Sequence, residues 1–430
     1  MAMLLFLFFL ILLLLLNKRK YDMISKRILL IYVAVWGIVI SISSFGLYDF
    51  YKPSIETLAM MVVHVIAFMV GYSIVRVDCN SVIVFSLNEL NKKLDRLTSN
   101  KLFIGGVCVL TGYIISLVLR FFSLLAVMNM SELRTDFYDA GIYGSLFAIL
   151  NGLVLSPINI CLIPIFSWMC LKKRNWFWVV LGIFLLGYAS LGGGRFGYLR
   201  ILLGIVFVIF CLYLNSKNRK KYILSFSFVI LMFFTLIGAI TVSRMSNYID
   251  SNDGIDTKVE ATSKAMLSYA VGPISAFDYA VNNNYLERIG GYKYGGLTLA
   301  APELFVYIIL NKCGFRYEKS LDSLVCIKQD EYINVGDESY WNALYTSLLF
   351  YYLDLGWLGI VLFPFLFGLI IRFLIKKFYC TNSVCIFIIL AFVFHGILRA
   401  VTDYNFVDVF LFLWMLVLYA IGIGKLKLKF

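Results

Sequence analysis

YLRILLGIVFVIFCLYLNSKNRKKYILSFSFVILMFFTLIGAITV, running from Tyr198 to Val242, decides the fold. Two apolar runs, near 198–214 and 222–242, flank the short basic connector Lys217 to Lys221. Each run is close to the ~20 residues that a helix needs to cross a bilayer. Only helices and closed barrels satisfy their backbone groups in lipid, and neither run shows the alternation of a barrel strand. The stretch reads as a membrane hairpin with its charged turn in water.

The rest of the chain repeats this pattern. It is 61% hydrophobic and 15% charged, with a mean hydropathy of +0.88, which excludes an ordinary soluble domain. About eleven spans emerge, near 2–16, 28–47, 57–75, 102–127, 146–170, 175–191, 198–214, 222–242, 343–371, 382–400 and 407–424. The expected fold is therefore an all-α polytopic membrane protein. It divides into an N-terminal bundle (1–242), a large polar loop (243–342) and C-terminal membrane helices (343–430). The first run has its charges after it (Lys18, Arg19, Lys20) and no small-residue cleavage site, so it reads as a retained helix. Within the loop, Asp256 to Ala270 reads as helical, Gly272-Pro273 as a turn before a second short helix, and Gly290 to Gly296 as irregular. The run from Ala343 to Ile371 exceeds one simple span, and Asp354-Leu355-Gly356 predicts a break in it.

The net charge of +13 would suggest nucleic acid in a soluble protein; here it is an orientation signal. More than half of the 38 Lys and Arg lie in six segments. These are Lys18 to Arg27, Arg76 to Lys101, Lys172 to Arg174, Lys217 to Lys221, Arg372 to Lys377 and Lys425 to Lys429. All six fall on one side under strict alternation, so the positive-inside rule puts the N-terminus outside and the C-terminus inside. The polar loop then lies on the outer face. The nine cysteines have no metal-ligand spacing, and Cys313 and Cys326 in the loop are candidates for a disulfide.

Candidate chemistry gathers at the predicted outer ends of the helices. Gly192-Gly193-Gly194-Arg195 closes one hairpin, where Gly193 and Gly194 let backbone N–H groups approach an anion and Arg195 adds a guanidinium. The alternative is a tight turn with an interfacial arginine. Arg244 and Arg399 share the predicted depth of Arg195, and three cations there suit a pyrophosphate. Arg200 sits about one turn deeper, where a cation is expensive unless it faces a cavity or a partner. His395, Arg399 and Asp403 fall at i, i+4 and i+8 on one helix face. His395 reads either as a general base toward a sugar hydroxyl or as an interhelical hydrogen-bond partner. His64 has no charged residue at helical spacing and reads as packing. Arg120, with Arg134 and Asp136 in the next loop, extends the cationic surface, or those loop residues are simply solvated; Arg288 in the large polar loop is a further candidate.

These residues, taken together, resemble a known family. The GGGRFG turn, Arg244 opening the loop, and LSYAVGP (Leu267 to Pro273) are similar to features of the Wzy-type O-antigen polymerases, the oligosaccharide repeat unit polymerases. Most specific is WNALYT (Trp341 to Thr346) running into YLDLGWLG (Tyr352 to Gly359), an apolar helix interrupted by Asp-x-Gly-x-x-Gly. The resemblance implies a GT-C-like bundle in a bacterial inner membrane, with the loop and N-terminus periplasmic and the C-terminus cytoplasmic. It implies a metal-independent glycosyltransferase without a cofactor that polymerises undecaprenyl-pyrophosphate-linked oligosaccharide repeat units. Arg195, Arg244 and Arg399 would bind the pyrophosphate. A chain-length regulator and a flippase are the implied partners, beside membrane lipid. His395 with Asp403 is the first choice for the base, and Asp337, Glu338 and Asp354 are substitutes. O-antigen ligases are typically described with a histidine in an outer loop, and this loop has none, which argues against the ligase. A lipid-linked oligosaccharide flippase is the leading alternative, and a membrane acyltransferase a weaker one.

Overall fold

The computed structural model describes residues 1–18, 22–47, 50–75, 87–125, 147, 149–172, 176–191, 195–215, 220–229, 231–232, 235, 255–330, 333–336, 339–341, 345–404 and 408–425. These residues are overwhelmingly helical. Five helices among them are long and apolar enough to cross a membrane, and five shorter apolar helices accompany them. The chain is a membrane protein of all-α type, apart from one small ribbon. It forms two compact units, each discontinuous in sequence.

The first unit comprises Met1–Ser81, Met245–Lys376 and Gly396–Leu413. It holds α1 (Ala2–Lys18), α2 (Met23–Phe45), α3 (Ile55–Ile74), the loop helices α9 (Ile255–Asn282), α10 (Tyr285–Arg288), α11 (Ala300–Lys312) and α12 (Ser320–Asp330), and most of α13 (Ser347–Thr381). An antiparallel ribbon pairs β1 (Ile333–Gly336) with β2 (Ser339–Trp341). Close helix approach explains why small residues recur here. A Cβ on Gly71 of α3 would lie 1.9 Å from the Phe365 carbonyl oxygen, and one on Gly368 of α13 would lie 2.3 Å from that of Phe68. In lipid no hydrophobic force joins two helices, so this backbone contact supplies the dispersion attraction that does. Tyr32 and Trp36 of α2 are buried beside it, with Tyr32 stacked on Phe68 at 3.6 Å. The Tyr32 hydroxyl also meets His64 Nε2 at 2.5 Å, so His64 is buried in an aromatic cluster, as its sequence surroundings suggest.

One feature of this unit corrects the sequence reading, and a second adds to it. Gly272-Pro273 makes no turn: α9 runs through it as one helix, because a proline removes one backbone hydrogen bond and surrounding packing carries the helix past it. Val271, Ile274 and Phe277 are buried on either side of that site. Arg372, counted as an orientation charge, is 3% exposed. Its guanidinium bonds Asp22 Oδ2 at 2.5 Å and the Val75 carbonyl at 3.1 Å, and lies 5.6 Å from the Tyr72 ring. Asp22 meanwhile caps α2 through the Ser25 amide.

The second unit comprises Val82–Arg244, Lys377–His395 and Trp414–Phe430. It contains α4 (Leu87–Ser99), α5 (Lys101–Leu125), a π-helical turn (Asn151–Leu155) leading into α6 (Ser156–Lys172), α7 (Phe177–Leu191) and α8 (Arg195–Asn215). Most of α14 (Val384–Arg399) and the later part of α15 (Val409–Gly422) belong to it too. The segment read as a plain basic connection, Arg76 to Lys101, contains α4. Its apolar side, Leu90 and Leu94, is buried, whereas Lys93 bonds the Thr381 and Asn382 carbonyls and Glu89 accepts from Asn382 Nδ2. Apolar positions four apart among charges make an amphipathic helix, a pattern masked by counting cations alone. Of the hairpin that decided the fold, α8 spans the first run; residues 220–229 are helical and most of the remainder lies outside the described residues.

Candidate functional site

The Asp-x-Gly-x-x-Gly stretch is where α13 breaks. Leu355 (φ −144°) and Gly356 (φ 59°, ψ −138°) leave the helical region, and a Cβ on Gly356 would lie 2.8 Å from the Tyr292 hydroxyl. Only glycine takes such a backbone conformation at no steric cost. Gly359 serves a different purpose, since a Cβ there would stand 1.9 Å from the Tyr351 carbonyl oxygen. One glycine turns the chain and the other lets the two helical pieces close on each other.

Asp354 uses the break to hold the glycine-rich part of the loop. Its carboxylate is buried and accepts from the amides of Leu297 (3.0 Å) and Thr298 (2.7 Å). The carbonyls of Leu353 and Asp354 accept from the amides of Lys293 and Tyr294 at 3.1 and 3.0 Å. Glycines at positive φ (Gly290, Gly291, Gly295) allow the turn to present those amides. Further along, the loop region is fixed again by Glu303, whose Oε1 accepts from the Tyr317 hydroxyl and from the amide and hydroxyl of Ser320. Desolvation by burial, with the Glu303 carboxylate beside it, raises the Tyr317 phenol above its ordinary value.

Arg399 closes α14 and is 4% exposed. It bonds Asp403 Oδ2 at 2.5 Å, and Asp403 Oδ1 accepts from the Tyr404 amide at 2.8 Å. The Tyr404 hydroxyl donates to the Thr298 carbonyl at 2.8 Å. Desolvation, then the nearby Tyr351 and Asp354, pushes the Tyr404 phenol well above its ordinary value. Arg399, Asp403, Tyr404, Thr298 and Asp354 thus form one chain of polar contacts in the first unit.

In the second unit, His395 of α14 and Arg200 of α8 line one small cleft of about 20 Å³. Ile160, Ile163, Pro164, Gly204, Ala391 and Phe392 complete it. His395 is buried, at 6% exposure, and Arg200 is half-buried. Gly204 is obligatory for the cleft's floor, since a Cβ would lie 2.0 Å from Ile163 Cγ2. A volume of this size admits about one water molecule, or one hydroxyl group.

The other expected residues separate. Arg195 is the first residue of α8, and its side chain lies outside the described residues, as do Gly193, Gly194, Arg244, Asp337 and Glu338 altogether. Arg120 is exposed on α5, ahead of its last turn. Arg288 is exposed at the end of α10, with its guanidinium 4.9 Å from the Tyr285 ring. Cys313 carries a free, exposed thiol rather than a disulfide, and the Cys326 side chain lies outside the described residues. Among the described residues no group of three or more His, Cys, Asp or Glu is placed to hold a metal ion. Sequence reasoning missed Tyr404, Thr298 and Glu303. A tyrosine directly after Asp403 was the only signal for the first; Thr298 joins positions far apart in the chain, and Glu303 bridges from one loop helix to the start of the next. No family model, no curated protein and no solved structure matches this chain.

Proposed function

We propose that the chain is an integral-membrane glycosyltransferase that polymerises lipid-pyrophosphate-linked oligosaccharide repeat units, in the manner of the O-antigen polymerases it resembles. The observation that supports this most is the cleft shared by His395 and Arg200. A buried imidazole and a guanidinium from two different helices face one space sized for a hydroxyl group. Ionisable groups inside a membrane bundle are costly and mark function by default.

The chemistry follows from that pair. His395 takes the proton of an acceptor sugar hydroxyl as its oxygen forms a bond to the anomeric carbon of the donor glycan. The anomeric C–O bond breaks, and its electron pair leaves with the lipid pyrophosphate. Arg200, with Arg195 in the first turn of the same helix, stabilises the charge developing on the leaving group. Arg244 is a further candidate for that anion, whereas Arg399 belongs to the first unit, where Asp403 holds it in place. Asp354 is a positioning residue in this scheme, because both of its oxygens are engaged by loop amides. The enzyme would work at the periplasmic face of a bacterial inner membrane, alongside a flippase and a chain-length regulator, and need neither metal nor nucleic acid.

The test is a surface-polysaccharide gel from a host deleted for the gene and complemented with the wild type, His395→Ala or Arg200→Ala. The expected result is a ladder with the wild type only. Each variant should leave lipid A–core capped by one repeat unit, since removing a general base typically costs about 10²–10⁴ in rate. Core with no repeat unit in the deleted host would replace this reading with a flippase or a ligase.

A further inference from the structure

Tyr292, Tyr294, Trp357 and Glu56 form an exposed cluster in the first unit that neither fills its core nor enters the chemistry above. Tyr294 is 81% exposed, and Tyr292 and Trp357 are roughly half as exposed at 44% and 41%. The rings of Tyr292 and Tyr294 lie 6.5 Å apart at 63°. Trp357 Nε1 donates to Glu56 Oε1 at 3.3 Å, which ties the start of α13's second piece to the first turn of α3. Tyr352 lies within electrostatic reach of both Glu56 and Tyr292.

The backbone under this cluster is unusual. Tyr294 has φ 49°, a left-handed conformation that a bulky L residue rarely adopts. It is imposed by the surrounding bonds: the Lys293 and Tyr294 amides go to the Leu353 and Asp354 carbonyls, and the Asp354 carboxylate clamps Leu297 and Thr298. Glycines flank the position at 290, 291 and 295–296, yet a tyrosine occupies it. An outlier kept under that much constraint, with its ring directed to solvent, points to a use outside folding. Ser54, which caps α3 ahead of Glu56, is itself held by Asp278 at 2.9 and 2.6 Å, so the carboxylate also stands on a fixed base.

We propose that these four side chains are a carbohydrate-binding platform, which receives a pyranose of the glycan on the Tyr294 and Tyr292 rings with Glu56 accepting hydrogen bonds from its hydroxyls. A pyranose offers an apolar face of C–H groups and a rim of hydroxyl donors. Tyrosine and tryptophan present an apolar body with a polar tip to match the face. A carboxylate is acceptor-only and engages two hydroxyls at once. The uncharged rings and the single carboxylate favour a neutral sugar over an acidic one. This inference rests on the glycan chemistry proposed above and adds where the sugar is held.

The experiment uses the full-length protein in lipid nanodiscs. The probe is a single repeat unit released by mild acid from the host's own surface polysaccharide. Saturation-transfer NMR reads which sugar protons touch the protein, and titration gives the affinity. Tyr294→Gly removes the ring while keeping a residue suited to the left-handed backbone, and Glu56→Gln removes the charge. Each variant should bind about fivefold to tenfold more weakly than the wild type, with saturation lost from ring C–H protons in Tyr294→Gly. A thermal melt of Tyr294→Gly no lower than that of the wild type separates binding from folding. Wild-type affinity in both variants, or no saturation with the wild type, overturns the platform whether or not the gel shows a ladder. Binding through these residues without any elongation would instead sink the polymerase reading and leave the platform standing.

Discussion

Asp354 and Tyr404 show how much one polar atom carries when it is taken out of water. Asp354 accepts two loop amides at a site with no exposure. Asp354→Ala leaves those N–H groups buried and unpaired, which costs about 1–3 kcal/mol for each group. The expected outcome is a lower melting temperature together with faster proteolysis near Gly290–Gly296, read by limited digestion of the purified protein. Tyr404 makes a pH prediction. Its folded-state pKa is raised above the ordinary 10.0, so its neutral form is favoured by folding. The stability it contributes is fully present below pH 10 and is lost as the pH climbs through the raised folded value. Tyr404→Phe removes the bond to Thr298 and with it this share of the alkaline sensitivity. Melting curves of the variant should start lower at neutral pH and fall less steeply from pH 10 upward; parallel curves would refute the assignment.

At the scale of an element, α13 is the instructive case. Its sequence carries the break openly, in Asp354, Gly356 and Gly359, and the structure gives each a separate role. Gly359→Ala forces a Cβ against a backbone carbonyl, which side-chain rotation cannot relieve, and should destabilise by about 1–3 kcal/mol or more. Gly105→Ala and Gly106→Ala in α5 meet nothing within 4 Å, and should be neutral or gain up to about 1 kcal/mol in helix propensity. Chemical denaturation of the three variants checks the contrast. Prolines were less informative. Pro273 was expected at a turn and lies inside α9, and Pro164 and Pro364 also sit within helices. A proline sets a local cost, but the packing around it decides whether the helix ends.

For the whole molecule, the relevant quantity is how segments far apart in sequence are joined within each compact unit. In the first unit, Arg372 and Asp22 join residues 350 positions apart through a buried ion pair. Removing one partner strands the other charge, which costs about 3–5 kcal/mol, whereas removing both costs less. Thermal unfolding of Arg372→Met, Asp22→Asn and the double variant should therefore show the double variant no worse than Arg372→Met alone. Additive losses would mean that the pair carries no coupling. The sequence by itself determined the class, an all-helical membrane protein, and placed most of the apolar helices within a few residues. It could do so because apolar runs, basic connectors and a glycine break are local signals, each legible within one or two turns. It also singled out Arg200 and His395 as ionisable groups inside the spans, Arg399 and Asp403 on the face of His395, and Asp354 at the helix break. Only the tertiary structure decided which of them meet. His395 shares a cleft with Arg200 and Asp354 commits its carboxylate to the loop, whereas the Arg399–Asp403 pair is the i, i+4 contact that its spacing already suggests. The cleft and the Asp354 clamp depend on helix rotation and on contacts between segments far apart in the chain, which no window of sequence encodes.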